Sequence, residues 1–289
     1  MKKYHYISPA KINLTLEIIN KLFNGYHALR TVMIKLENLY DTVDILCTDV
    51  HSDIVITCSD PSVPTDAKNI CYKIAKKFFE RSGKIIGLEI DLQKNIPAAA
   101  GLGGGSSNGA CVLMCLNDYF DQYFGLEELI DIAASVGKDI PFFLSQKNGA
   151  LIEGMGEIIS EEFFVPQKQY LIINPHIEVS TPWAFGELAK HLWFMSNTER
   201  KNISYDMRDV LKKNEDGMSL LYNDFEIAVF AHYPVIAEIK QAMIAFGAQN
   251  ALMSGSGSTV FGIFETEMEM HKAQEKLIKQ FPDFYIAIG

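Results

Sequence analysis

The sequence lacks any apolar run that approaches the roughly 18 residues of a transmembrane helix. Its basic N-terminus is followed by no apolar core of the kind that a secretory signal carries. Cysteines are few, odd in number and without a paired framework, as is typical of a reducing compartment. Cys111 and Cys115 lie one helical turn apart, but without a second ligand pair we interpret them as small core residues rather than half of a zinc site. We expect a cytoplasmic protein that keeps its N-terminus.

The chain also has fewer positively charged than negatively charged residues. The chain has 26 Lys and Arg residues against 36 Asp and Glu residues, which gives a net charge of −10. This balance argues against a broad nucleic-acid surface, because such a surface needs a basic face to displace counterions. We expect neither nucleic acid nor membrane as a partner, and the sequence leaves the oligomeric state open between monomer and homodimer. A phosphorylated ligand must be held by local positive groups.

A glycine-rich stretch, PAAAGLGGGSSN at residues 97–108, is the strongest pattern in the chain. Residues 88–93 alternate between apolar and polar and predict a strand before it, and a helix is predicted over about residues 107–119. Backbone N–H groups of such a loop converge without obstruction, and the helix N-terminus adds positive character. Ser106 and Ser107 can cap the helix or bind an anion or its metal. The stretch predicts a phosphate-binding loop that matches neither the Walker nor the Rossmann fingerprint.

The remaining periodicity predicts a mixed α/β protein of two domains with no internal repeat. Further strands are expected at residues 12–18, 43–47, 54–58, 150–153, 170–173, 259–264 and 284–288. Further helices are expected at residues 69–79, 126–136, 234–246 and 265–279. A second glycine-serine loop occupies residues 254–258, and by itself it is typical of a flexible turn. Residues 166–168 are the expected switch between the two domains.

Several motifs occur in one order along the chain. They are Pro-Ala-Lys-Ile-Asn-Leu at residues 9–14, Gly-Tyr-His at 25–27, the glycine loop, Asp-Ile-Pro-Phe at 139–142, Gly-Met-Gly-Glu at 154–157, Val-Ser-Thr at 179–181, Asn-Asp-Phe-Glu at 223–226 and the loop at 254–258. With this ordered set the chain resembles the GHMP family of small-molecule kinases. The resemblance is strongest to its branch that phosphorylates the 2-hydroxyl of 4-diphosphocytidyl-2-C-methyl-D-erythritol in non-mevalonate isoprenoid precursor synthesis.

The resemblance implies a two-domain GHMP kinase fold with the active site between the domains. Residues 1–160 would form an N-terminal, ATP-binding domain that is ribosomal-protein-S5-domain-2-like. Residues 161–289 would form a ferredoxin-like C-terminal domain. The substrate implied is a small molecule, a cytidine diphosphate-linked sugar alcohol, and the cofactors implied are ATP and Mg²⁺.

The resemblance also implies roles for individual residues. Lys11 would neutralise the transferring phosphoryl group, and Asp139 would act as the base. The expected ATP-binding residues are Asn69, Lys94, Pro97, Ala98, Ala99, Ala100, Gly101, Leu102, Gly103, Gly104, Gly105, Ser106 and Ser107, the last also a ligand for Mg²⁺. The expected acceptor-binding residues are Asn13, Tyr26, His27, Thr181, Phe185, Gly255 and Ser256, with Tyr26, His27 and Phe185 around the cytosine base.

Simpler interpretations stay open for several of these residues. Asp139 is also typical of a water-exposed helix end, Lys11 of a strand lysine that extends to solvent, and Asn69 of a helix N-cap. Phe185 fits a core position as well as a stacking face. The turn before Gly-Tyr-His carries Leu-Phe-Asn at residues 22–24 where the family usually has Arg-Pro-Asp. Position 28 holds alanine for the family's usual glutamate, and position 108 asparagine for a frequent aspartate.

Three alternative functions also stay open. One is a GHMP kinase for mevalonate, phosphomevalonate or homoserine, and another is a nucleotide-binding homologue with impaired catalysis. The third is a serine hydrolase, because Gly-Ser-Ser-Asn-Gly at residues 105–109 formally matches the Gly-x-Ser-x-Gly elbow. That elbow needs a strand that runs directly into the serine turn, whereas a proline and several small residues intervene here.

Overall fold

The computed structural model describes residues 1–23, 25–191, 202–213, 215 and 217–289, so Asn24 of the altered turn lies outside the described residues. The strands are β1 (Lys2–Lys21), β2 (His27–Thr48), β3 (Ile54–Cys58), β4 (Gly87–Gln93), β5 (Gly149–Glu153), β6 (Ile158–Phe163), β7 (Gln169–Asn174), β8 (Tyr222–Asn223), β9 (Asn250–Met253), β10 (Val260–Phe264) and β11 (Tyr285–Ile288). The helices are α1 (Ile70–Ser82), α2 (Gly104–Tyr119), α3 (Leu126–Val136), α4 (Ile140–Leu144), α5 (Thr181–His191), α6 (Ile203–Lys212), α7 (Phe225–His232), α8 (Pro234–Ala245) and α9 (Glu267–Gln280). Among the described residues, no helix combines the length and apolarity needed to span a membrane.

Residue contacts divide the chain into two compact units. The first comprises Met1–Ala10, Leu39–Ala98 and Gly103–Gln146, and the second comprises Lys11–Asn38, Ala99–Leu102 and Lys147–Gly289. Both units are discontinuous because β1, β2 and the glycine loop each contribute residues to both. The division of the chain at residue 160 stays a prediction.

In the first unit, helices pack beside one edge of a sheet. The strands at this edge, β3 and β4, were expected from alternating apolar and polar residues. In β4, Leu88 and Ile90 are buried while Glu89 between them is exposed. This strand runs parallel to β3 and antiparallel to the second half of β2. Helices α1 to α4 pack against one another, and Phe78 of α1 stacks on the Phe120 ring and meets the Phe124 ring edge-on. Burial of these aromatic rings stabilises the helical layer.

The second unit contains a four-stranded antiparallel sheet in the order β11-β7-β10-β9. Numbered in chain order within this sheet, its strands lie in the order 4-1-3-2, with α8 before β9 and α9 between β10 and β11, which is the ferredoxin-like arrangement. Its core includes Leu16 and Ile18 of β1 together with buried residues of the sheet and of α5, α7, α8 and α9. In the same unit β2 pairs with β5, β5 with β6, and β1 runs parallel to β8. The expected fold class is confirmed.

Two local expectations were wrong or incomplete. Helix α2 begins at Gly104 rather than near residue 107. Glycine disfavours a helix by about 1 kcal/mol, but here close packing overrides that propensity. A Cβ at Gly105 would lie 3.2 Å from the Ile70 side chain, and one at Gly109 would lie 2.8 Å from it. Strand β6 was also not expected, because its polar residues mask the alternation of this half-buried partner of β5.

Candidate active site

The first site motif lies on β1, where Lys11 and Asn13 project from the same face of the strand. Both side chains are buried, at 3% and 1% exposure. Lys11 Nζ donates to Asn13 Oδ1 at 2.8 Å, and Asn13 Nδ2 donates to Thr31 Oγ1 at 2.8 Å. The lysine therefore does not extend to solvent, so the simpler interpretation of Lys11 was wrong.

The glycine loop has a backbone suited to binding an anion. Ala99, Gly101 and Gly103 have φ values of 51°, 76° and 70°, so every second residue is left-handed. Backbone N–H groups on such alternating conformations form an anion-binding concavity. Lys11 N donates to Leu102 O at 2.8 Å, and Ser254 Oγ donates to Gly101 O at 3.0 Å. Within the second unit, three motifs that are far apart in sequence thus meet.

A substitution at Gly101 can test how closely the glycine loop approaches the Ser254–Ser258 loop. An added Cβ would overlap the Ser254 carbonyl oxygen and lie 3.1 Å from Gly257 O, and neither backbone atom can rotate away. We expect Gly101→Ala to lower the free energy of unfolding by about 2–4 kcal/mol and to weaken ATP binding. Denaturant unfolding and nucleotide titration measure the two effects.

Gly83→Ala is the matched control for this substitution. Gly83 also has a left-handed φ, 68°, but nothing lies within 4 Å of an added Cβ. It should cost only the left-handed strain of about 1–2 kcal/mol and leave ATP binding unchanged. Equal losses in the two variants would contradict the close approach of the two loops.

Residue Asn223 holds the Ser254–Ser258 loop in place. Its Nδ2 donates to Met253 O at 2.7 Å and to Gly255 O at 2.8 Å. Thr181 Oγ1 lies 2.8 Å from Ser256 Oγ, so two of the expected acceptor-binding residues are in contact. The loop is therefore anchored, and its interpretation as a flexible turn was wrong. Asn223 belongs to the Asn-Asp-Phe-Glu motif at residues 223–226, but only its hydrogen bonds to residues distant in sequence reveal its role.

In the first unit, the glycine loop runs into helix α2. Gly103 is the N-cap, and Ser106 and Ser107 lie inside the first turns of the helix, so neither takes the capping role that was one of their two possibilities. Ser107 is buried, and its Oγ accepts a hydrogen bond from Ser8 Oγ at 2.8 Å. The two serines follow a loop rather than a strand, so the hydrolase elbow is absent from this segment.

Lys94 lies under the start of α2 in a buried polar cluster. Its Nζ pairs with Asp41 Oδ2 and donates to Asn108 Oδ1 at 3.0 Å. Asn108 Nδ2 donates in turn to Ser8 Oγ at 2.8 Å and to Asp41 Oδ2 at 3.0 Å. A Cβ on Gly104 would lie 3.3 Å from the Lys94 ammonium. The positive charge thus lies beside the glycine loop, and its contact with adenine stays a prediction.

Asp41 is a buried member of this cluster that the sequence patterns did not identify. Its side chain is fully buried, and Oδ1 accepts from Asn95 N at 2.8 Å and Ile96 N at 2.9 Å. It therefore fixes the backbone that enters the glycine loop as well as the Lys94 ammonium. The signal available in the sequence was its position two residues before the strand expected at residues 43–47, in phase with the buried residues of that strand.

The Asn69 side chain performs the simpler of its two expected roles. It is the N-cap of α1, where Oδ1 accepts from Cys71 N at 2.8 Å and Nδ2 donates to Pro64 O at 2.6 Å. Asn69 is buried, so its side chain orders the segment before α1. An adenine contact by this residue stays a prediction.

Asp139 precedes α4, whose second residue is Pro141. The Asp139 side chain is half-buried and makes no cap hydrogen bond to the helix that it begins. Neighbouring Lys138 is exposed. Asp139 belongs to the first unit and Lys11 to the second.

The aromatic residues expected to hold a base lie in the second unit. The His27 and Phe185 rings are stacked, with centroids 4.7 Å apart and planes 9° apart, and the Phe185 ring meets the Phe225 ring edge-on. Burial, followed by the charge of Lys21, lowers the pKa of His27 below its ordinary value, which favours the neutral imidazole with one donor and one acceptor nitrogen. Tyr26 is 61% exposed. A base bound here would therefore stack on an outer face of the pair or separate the two rings.

Comparison with known proteins gives matches over both halves of the chain. The family model for the GHMP kinases N terminal domain matches residues 69–147, and that for GHMP kinases C terminal matches residues 206–283. The 4-diphosphocytidyl-2-C-methyl-D-erythritol kinase of Geobacter metallireducens is 37% identical over 288 residues, which cover 100% of this chain and 99% of that protein. The enzyme of the same name from Syntrophus aciditrophicus is 39% identical over 273 residues, 94% of each chain.

Solved structures agree with these sequence matches. A crystal structure of 4-(cytidine 5'-diphospho)-2C-methyl-D-erythritol kinase superposes with a TM-score of 0.81 and 28% identity, over 99% of this chain and 98% of that one. The homoserine kinase of Cytophaga hutchinsonii shares the fold, with a TM-score of 0.74 and 20% identity over 100% of this chain and 94% of that one. With both domain models matched and relatives similar along its full length, this chain belongs to the GHMP kinase family.

Proposed function

We propose that this protein transfers the γ-phosphoryl group of ATP to the 2-hydroxyl of 4-diphosphocytidyl-2-C-methyl-D-erythritol, a step of non-mevalonate isoprenoid precursor synthesis. The observation that carries the proposal is the convergence, within the second unit, of the buried Lys11–Asn13 pair with the Ala99–Leu102 and Ser254–Ser258 loops. Phosphoryl transfer depends chiefly on positioning and on neutralised charge, and this cluster offers both.

Each residue has one task in the proposed reaction. Asp139 accepts the proton of the acceptor hydroxyl as the new oxygen–phosphorus bond forms and the bond between the β- and γ-phosphates of ATP breaks. The Lys11 ammonium neutralises negative charge on the transferring group. The loop N–H groups of residues 99–103 bind the ATP phosphates.

In the proposed reaction, Mg²⁺ would be bound mainly by the phosphates of ATP. Mg²⁺ prefers phosphate oxygens and water, with one or two protein oxygens. The part of the chain that the structure describes contains no group of three or more His, Cys, Asp or Glu side chains arranged to hold a metal. We assign Ser107 Oγ as its protein ligand, and the ion would neutralise charge that develops on the phosphates.

The acceptor is assigned to Tyr26, His27, Phe185, Thr181 and the Ser254–Ser258 loop. A neutral imidazole can both donate to and accept from the polar edge of cytosine, and the exposed Tyr26 ring offers a stacking surface. Mevalonate, phosphomevalonate and homoserine carry no base for these rings. The aromatic cluster therefore favours the cytidyl acceptor within the family.

An acceptor panel tests this function. Purified protein with ATP and Mg²⁺ should phosphorylate the cytidyl acceptor with a kcat/KM at least about 10²-fold above that for mevalonate, phosphomevalonate or homoserine. Coupled detection of ADP measures the rates, and mass spectrometry identifies the product. Preferred turnover of an acceptor without a base would overturn the substrate assignment, and no transfer to any acceptor would indicate an impaired homologue.

A further inference from the structure

A buried chain of hydrogen bonds leads away from Lys11 along one face of β1. Alternate residues of the strand, namely Lys11, Asn13, Thr15 and Glu17, are all polar and all at most 6% exposed. Side chains at such alternate positions share a face of the strand. A polar row of this kind is costly to bury unless every group has a partner.

Thr31 on β2 is the central member of this chain. Its Oγ1 donates its single hydrogen to Thr15 O and accepts from Asn13 Nδ2 at 2.8 Å. Thr15 Oγ1 accepts from Val32 N at 2.9 Å and donates to Ser204 Oγ at 2.9 Å. All of these residues belong to the second unit.

The direction of these hydrogen bonds determines the orientation of the Asn13 amide. Because the Thr31 hydroxyl hydrogen is used by the Thr15 carbonyl, Thr31 can only accept from Asn13. Asn13 must then present Nδ2 to Thr31 and Oδ1 to the Lys11 ammonium. The reverse orientation would place the amide nitrogen against the ammonium, donor against donor.

We propose that Thr31 is a positioning residue of the phosphoryl-transfer site, which fixes the Asn13 amide and through it the Lys11 ammonium. This inference rests on the proposed function, in which Lys11 acts on the transferring phosphoryl group. Thr31 is fully buried, and its link to the Lys11 ammonium is the hydrogen bond that it accepts from Asn13.

Thr31→Val tests this role because it keeps the shape of the side chain and removes the hydroxyl. We expect kcat to fall by about 10–100-fold, since a small misplacement of a catalytic group is enough for such a loss. The KM for ATP should change by less than about threefold, and Thr31→Ser should restore kcat to within about threefold of the parent. In an Asn13→Ala background, Thr31→Val should have no further effect, because residues that act as one unit are not additive.

Thr48→Val is the matched control, since Thr48 is a buried threonine of the same strand whose hydroxyl accepts only a local backbone hydrogen bond, from Val50 N at 3.2 Å, among the bonds described. It should leave kcat unchanged. An equal loss of kcat in Thr48→Val, or full additivity with Asn13→Ala, would show that Thr31 is merely structural and overturn the inference.

A spectroscopic measurement separates this inference from the proposed function. In amide NMR spectra, the Asn13 side-chain resonances are identified by their loss in Asn13→Ala. They should exchange slowly with solvent in the parent and shift and exchange faster in Thr31→Val. Unchanged resonances would overturn the role of Thr31 even if every acceptor were turned over. If no acceptor is turned over, the proposed function fails and these spectra alone decide the role of Thr31.

Discussion

Replacing Asp139 with asparagine should lower kcat by about 10²–10⁴-fold, the range that a positioned general base contributes. The amide keeps the size of the carboxylate but cannot take the proton of the acceptor hydroxyl. Because Asp139 makes no cap hydrogen bond to α4, its replacement should leave the helix intact. The KM values for ATP and acceptor should therefore change by less than about threefold. Steady-state kinetics with the cytidyl acceptor, together with thermal unfolding, measure these effects.

The exposed Asp131 on α3 provides the control. Asp131→Asn removes the same charge from the same unit but should leave kcat unchanged. Turnover by Asp139→Asn equal to that of the parent would exclude Asp139 as the base. A comparable loss in both variants would instead point to the net charge of this unit.

Replacing Asp41 with asparagine should destabilise the protein by about 3–5 kcal/mol, as expected when one partner of a buried ion pair is removed. The new Oδ1 can still accept from Asn95 N and Ile96 N, but Nδ2 would face the Lys94 ammonium and the Asn108 amide nitrogen. The buried Lys94 charge would then lack its counterion. ATP binding should also weaken, because residues 94–96 lead directly into the glycine loop. Denaturant unfolding and nucleotide titration report the two consequences.

Two further variants make this result specific. Glu80→Gln removes a carboxylate from an exposed pair with Lys77 on α1, and it should change stability little. Adding Lys94→Met to Asp41→Asn removes the uncompensated charge and should recover most of the lost stability. A single variant Asp41→Asn as stable as the parent would show that the pair contributes nothing to the folded state.

Local pattern was enough to predict most elements of the fold. The alternation around Ile90 marked β4, and the helical spacing around Ile132 marked α3 at Leu126–Val136. Such patterns succeed because burial on one face imposes the period of the strand or helix on the sequence. They failed at Gly104, where close packing against the Ile96 side chain makes glycine a helical residue.

Partners far apart in sequence could not be predicted in this way. Asp41 and Lys94 are 53 positions apart, and no local period relates them. Asn69 is the opposite case. Its N-cap role depends only on neighbouring residues, so this role was among the alternatives expected from the sequence. The stacking of His27 on Phe185 brings together two residues that the family resemblance named for one base, but their direct contact is a property of the fold.

The sequence by itself determined the chemistry that we propose: a glycine loop for phosphate, a lysine and an aspartate for transfer, and aromatic side chains for a base. These depend on residue type and local spacing, which the sequence states directly. The tertiary structure alone decided how these groups are held. Whether Lys94 reaches solvent or pairs with Asp41, and which way the Asn13 amide faces, depends on buried hydrogen-bond partners that only folding brings within about 3 Å.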